Sequence, residues 1–108
     1  MAQKSIWISY DLGIMGDYSS LYVWLDEHSA EECGDSVAFI LYEYKGDLIA
    51  HLKRDLERSI KLDRKSRIYI VFQDTDSAKI KGRFVFGRRK SAVWTGASPR
   101  VQHAEADE

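Results

Sequence analysis

The sequence predicts an α+β domain, and three features predict it. Two stretches, around 17–28 and 47–60, space their apolar residues at helical intervals. Four others, 4–10, 36–44, 67–73 and 79–86, are rich in β-branched and aromatic residues that alternate or run together as strands do. The last two strand stretches are separated only by DTDSA (74–78), a polar turn composition that suits a hairpin. With 108 residues in all, one domain spanning 1–96 is expected.

In chain order, KSIWISY (4–10) sets Ile6, Ile8 and Tyr10 on one side and Ser5, Trp7 and Ser9 on the other, a half-buried strand. Gly13 and Gly16 then mark a turn. Asp17 is the expected N-cap of a helix carrying Leu21, Trp24, Leu25 and His28 on one stripe. EECGD reads either as a short strand or as a loop. SVAFILYEY (36–44) is apolar almost throughout, which predicts a central strand. Gly46-Asp47 is a turn and cap before the clearest helix, with Leu48, Leu52, Leu56 and Ile60 in steps of four and charge on the other face. RIYIVFQ and KIKGRFVF follow as hairpin strands, with Gly82 marking a bulge or a close backbone approach. Pro99 falls in a stretch, 97–108, with little to bury, and disorder is expected there. Two helices on one face of a four- to five-stranded, mostly antiparallel sheet make an α+β sandwich of ferredoxin-like type.

Composition narrows the function classes. Sixteen basic residues against seventeen acidic ones leave a net charge of -1, so only local clustering of charge can speak for nucleic acid. The single cysteine, Cys33, permits no intrachain disulfide and suits a reducing compartment. MAQKSIW lacks the apolar core of a signal peptide, and no apolar run is long enough for a bilayer, so a cytoplasmic protein away from membranes is expected. Neither G-x-x-x-x-G-K nor G-x-G-x-x-G occurs, which disfavours ATP and dinucleotide chemistry. His28, His51 and His103 include no pair at metal-ligand spacing.

Three stretches together carry a resemblance. ISYD ends a strand in Tyr-Asp; LYVWLDEHSAEECGDSVAF runs from a helix into a strand; DLIAHLKRDLERSIKLDRKS leads directly into RIYIVF. Over roughly residues 4–73 the chain resembles the small CRISPR-associated adaptation subunit and the related virulence-associated protein D toxins. The resemblance implies a ferredoxin-like fold, a homodimer that often exchanges its final strand, and in several members a metal-dependent endoribonuclease or nuclease. It also implies that Asp11, at the end of the first strand, is the catalytic, metal-associated residue. The chain departs from that pattern after Asp11, where LGIMGDY stands in place of polar or basic residues.

Two groups of residues carry the chemistry. Asp11 is the candidate catalytic residue and Asp11 with Asp17 the candidate Mg²⁺ ligands, with Asp35 able to add oxygens if its loop lies at the same edge. A strand end before a glycine turn and a helix cap explain the same aspartates structurally. Lys79, Lys81 and Arg83 alternate along the last strand; Arg88, Arg89 and Lys90 continue the patch, with Trp94 close by. Cations for phosphates beside an aromatic for stacking suit single-stranded nucleic acid, whereas an edge strand protected by charge would look alike. Tyr69, with the other tyrosines, is expected in core and interface packing. Two functions follow: a dimeric Mg²⁺-dependent nuclease acting on RNA or DNA, or a non-catalytic nucleic-acid- or protein-binding module such as an antitoxin or accessory component.

Overall fold

The computed structural model describes residues 1–99. Its elements are β1 (Ala2–Asp11), α1 (Tyr18–Glu27), β2 (Glu31–Glu32), β3 (Val37–Tyr44), α2 (Leu48–Ser59), β4 (Arg67–Gln73) and β5 (Ile80–Phe86). All five strands join one antiparallel sheet in the order β2-β3-β1-β4-β5. Strands β2, β3, β1 and β4 follow the ferredoxin-like order, and β5 extends the sheet beyond β4 as a hairpin strand. The tail expected over 97–108 lies, from residue 100 onward, outside the described residues, as does His103.

Each helix starts where a side chain replaces the missing backbone acceptors. Asp17 Oδ1 accepts from the Ser20 amide, and Asp47 Oδ2 accepts from the Ala50 amide. Asp17 Oδ2 also accepts from the Lys61 amide at 3.0 Å, tying the start of α1 to the chain just after α2. These hydrogen bonds, that from Lys61 foremost, hold the Asp17 carboxyl below the usual carboxylate range.

One layer of side chains makes the core. Ile6 and Ile8 of β1, Ala38, Ile40 and Tyr42 of β3, and Ile68, Ile70 and Phe72 of β4 meet Leu21, Trp24 and Leu25 of α1 and Leu48, Leu52 and Leu56 of α2. Burial of each large aliphatic chain contributes about 1.5–3 kcal/mol before entropy is counted. Tyr42 is buried and donates from its hydroxyl to Asp55 Oδ2 at 2.8 Å, which satisfies the one polar atom it brings inside. Burial first, and then this contact with a carboxylate, push the Tyr42 phenol well above the ordinary tyrosine range.

Three details differ from the sequence reading. β1 begins at Ala2 rather than residue 4, because β3 runs to Tyr44 and pairs with those first residues. β3 is central as expected, paired with β2 and β1, but it is covered on one face only: Ala38, Ile40 and Tyr42 face the helices, while Phe39 and Leu41 line the uncovered face and Leu41 is 53% exposed. In β5, strict alternation would put Phe86 beside Phe84. Instead Tyr69 pairs with Phe84 and Ile68 with Phe86, so Val85 is an extra residue in a bulge and Phe86 packs against the core.

The sheet therefore has one covered face and one open face, and the two should respond differently to truncation. Leu52→Ala, at a fully buried position, is expected to cost about 2–5 kcal/mol in urea unfolding. Leu41→Ala should change stability by no more than about 0.5 kcal/mol. Equal losses at both positions would show that the open face is not open.

Candidate nucleic-acid interface

Strand parity assigns the open face. Trp7, Ser9 and Asp11 of β1 pair with Val71, Tyr69 and Arg67 of β4, and Tyr69 and Val71 pair in turn with Phe84 and Gly82 of β5. All of them project away from the helices, because Ile8 and Ile70 between them project toward the core. Trp7 and Phe39 lie 5.0 Å apart, and Tyr69 and Phe84 lie 4.7 Å apart at 64°. The helix-free face thus carries two aromatic pairs.

Gly82 makes room for one of them. A Cβ on Gly82 would overlap the Tyr69 hydroxyl, so the phenol lies over the bare backbone of β5. The expected close approach at Gly82 is real, and the bulge lies elsewhere, at Val85.

At one end of this face the charges gather. Asp11 Oδ1 accepts from the Gly13 amide at 3.0 Å, and Gly13 takes φ +80, which closes the turn after β1. Arg64, Lys65 and Arg67 lead into β4 opposite Asp11, and the turn at Gly87 brings Arg88, Arg89 and Lys90 back to the same place. Together with Asp11 and Gly13 these six cations line an open concavity of about 640 Å³. Arg67 Nη1 donates to the Arg88 carbonyl at 3.3 Å, while the buried Arg67 Nε has no hydrogen-bond partner. The Arg89 guanidinium sits 5.9 Å from the Tyr69 ring centroid and 5.7 Å from that of Phe84, so the cationic end merges with the aromatic face. Trp94, 73% exposed, joins Arg67, Phe84, Arg89 and Lys90 around a neighbouring hollow.

Among the described residues, Lys81 pairs with Asp74, and the His28 ring lies 3.7 Å from an Asp55 carboxylate oxygen. Neither uses Asp11 or any of the six cations at its end of the sheet. Charges left unmatched at a concave surface invite a charged ligand.

The structure separates residues that the sequence grouped. Lys81 and Arg83 pair with Phe72 and Ile70, so they project to the helix side, and Lys81 is 3.5 Å from Asp74. Lys79 precedes β5, and its carbonyl accepts from the Asp74 amide in the hairpin loop. Lys81 and Arg83 thus lie on a side of β5 different from that of the Asp11 cluster, and Lys79 does not line it, whereas Arg88, Arg89, Lys90 and Trp94 belong with Asp11. Asp17 commits both oxygens to backbone amides. Asp35 is exposed in the turn before β3 and does not line the Asp11 pockets. Ser9, Arg64, Lys65, Arg67, Tyr69 and Phe84 escaped the sequence reading. The alternation of RIYIVF does put Arg67 and Tyr69 on one side, but only the pairing register puts that side next to Asp11.

Among the described residues no three His, Cys, Asp or Glu side chains converge, and Asp11 stands alone among cations. Comparisons of the chain with protein-family models, with curated proteins and with solved structures returned no match. The chemistry of the site therefore carries the functional argument.

Because the Tyr69 phenol occupies the space above Gly82, Gly82→Ala should destabilise the native protein and much less so in a Tyr69→Ala background. A double-mutant cycle on urea unfolding should give a coupling of about 0.5–3 kcal/mol. Additive losses would mean that the ring does not lie there.

Proposed function

We propose that this protein binds single-stranded nucleic acid across the open face of its sheet. The supporting observation is the union of a cationic rim, Arg64, Lys65, Arg67, Arg88, Arg89 and Lys90, in no ion pair among the described residues, with the half-buried Tyr69 and Phe84 and the exposed Trp7 of the adjoining strands. Phosphates are held by the rim, where Arg67 and Arg89 offer guanidinium donors that suit phosphate oxygens. Bases stack on Tyr69, Phe84 and Trp94, with Trp7 and Phe39 extending the platform. Stacking of this kind needs unpaired bases, because the faces of bases in a duplex are already covered.

Binding is the activity these residues support, and it needs no metal. A nuclease acting through Asp11 needs a second source of oxygen ligands, such as Asp11 of another chain in a homodimer. Mg²⁺-dependent cleavage of RNA or DNA that disappears in Asp11→Ala would establish that catalytic reading in addition.

Fluorescence anisotropy with short labelled RNA and DNA strands provides the test. Affinity should fall with salt, and each rim cation removed, as in Arg67→Ser or Arg89→Ser, should make the log–log salt slope shallower by roughly 0.7. The pair Lys81→Ser with Arg83→Ser, on the helix side, should weaken binding far less. Absence of salt-dependent binding, or equal damage from the Lys81 and Arg83 changes, would overturn the proposal.

A further inference from the structure

Where the aromatic face meets the cationic end, Ser9, Asp11, Arg67, Tyr69, Phe84 and Arg89 enclose a pocket of about 230 Å³. That is below the roughly 300–1,000 Å³ of sites that take drug-sized ligands, and it suits one planar ring system. Its walls are flat groups. The rings of Tyr69 and Phe84 lie 4.7 Å apart, the Arg89 guanidinium is 5.9 Å from the Tyr69 centroid and 5.7 Å from that of Phe84, and that of Arg67 is 5.9 Å from Phe84. Bare backbone at Gly82 lets the Tyr69 ring lie down along this wall. Aromatic rings and guanidinium planes together are the surfaces on which unstacked bases settle.

One group in the pocket is out of keeping with an anion site. Asp11 places a carboxylate among the cations, yet it is in no ion pair with any of them among the described residues. A carboxylate that only held phosphate-binding arginines in position would contact them. Its Oδ1 keeps the Gly13 amide at 3.0 Å, and each carboxylate oxygen has more than one acceptor direction, so both oxygens can still receive donors from a ligand.

The edges of the four bases differ in what they offer such a group. Guanine presents N1–H and the N2 amino group side by side, two donors for two acceptor oxygens. Adenine and cytosine set an acceptor beside their amino donor, and uracil flanks its single donor with two acceptors. Against a carboxylate those three leave an acceptor facing an acceptor, at the cost of an unmatched polar group.

Resting on the nucleic-acid reading above, we propose that this pocket takes one guanine of the bound strand. The base lies against Tyr69, Phe84 and Arg89, its Watson–Crick edge donates to Asp11, and its phosphate meets the rim. Asp11 is then a specificity residue.

Anisotropy with labelled oligouridine strands carrying a single central guanine, adenine or hypoxanthine tests this. Wild-type protein should bind the guanine strand roughly tenfold more tightly than the adenine strand. The hypoxanthine strand, which lacks the N2 amino group, should fall between them. Asp11→Asn keeps an oxygen for the Gly13 amide, and so the turn, and should bring the guanine and adenine strands level. Equal wild-type affinity for the two strands, or a guanine preference that survives in Asp11→Asn, would overturn the guanine assignment while leaving nucleic-acid binding intact. Failure to bind any strand would overturn both.

Discussion

Register between β1 and its two antiparallel neighbours divides the molecule into a structural side and a binding side. Ile6 and Ile8 pair with Ile40 and Ala38 of β3 and with Phe72 and Ile70 of β4, and those six side chains, joined by Tyr42, Ile68 and Val85, are the sheet's part of the core. Once they are turned toward the helices, the period of two leaves Trp7, Ser9 and Asp11 no choice but the other side. Their partners Phe39, Tyr69 and Arg67 follow. A slip of one residue would bury Asp11 and Arg67 under the helices and expose the isoleucines, so the fold's stability and the composition of its open face are set by the same pairing.

Charge is divided along the same line. On the helix side several carboxylates are committed locally: Asp17 and Asp47 cap helices, Asp55 accepts from Tyr42, and Asp74 holds Ser77 and Lys81 in the hairpin. Hydrogen bonds from Ser77 first, with Lys81 adding to them, keep the Asp74 carboxyl low. On the open side the cations of residues 64–67 and 88–90 converge from two turns, and among the described residues none of them is in an ion pair. The chain's net charge of -1 hides this asymmetry, because the acidic residues that balance the rim lie elsewhere.

Much of the fold was legible in the sequence because its signals are local. Steps of four from Leu48 to Ile60 and the capping aspartates announce helices, and alternation in KSIWISY and RIYIVF announces strands with a definite inner face. The site was legible only in part. Asp11 and the run Arg88-Arg89-Lys90 stand out by type, but Arg67 and Tyr69 become site residues only through their pairing with Asp11 and Ser9, more than fifty positions away. Lys81 and Arg83 looked equivalent to that run because they too lie close in sequence. One extra residue, Val85, and the turn at Gly87 carry the chain on to the Asp11 cluster. Tyr69 reads as a core aromatic until the missing side chain at Gly82 shows where its ring lies.

In the proposed binding mode a nucleic-acid strand sits on the helix-free face, at its Asp11 end. Titrating a short single strand into isotope-labelled protein and following the amide resonances tests it directly. The resonances expected to move are those of Ser9, Asp11, Gly13, Arg67, Tyr69, Gly82, Phe84 and Arg89, contiguous across β1, β4 and β5. Perturbations centred instead on α1, α2 or the Lys81–Arg83 side of β5 would contradict it.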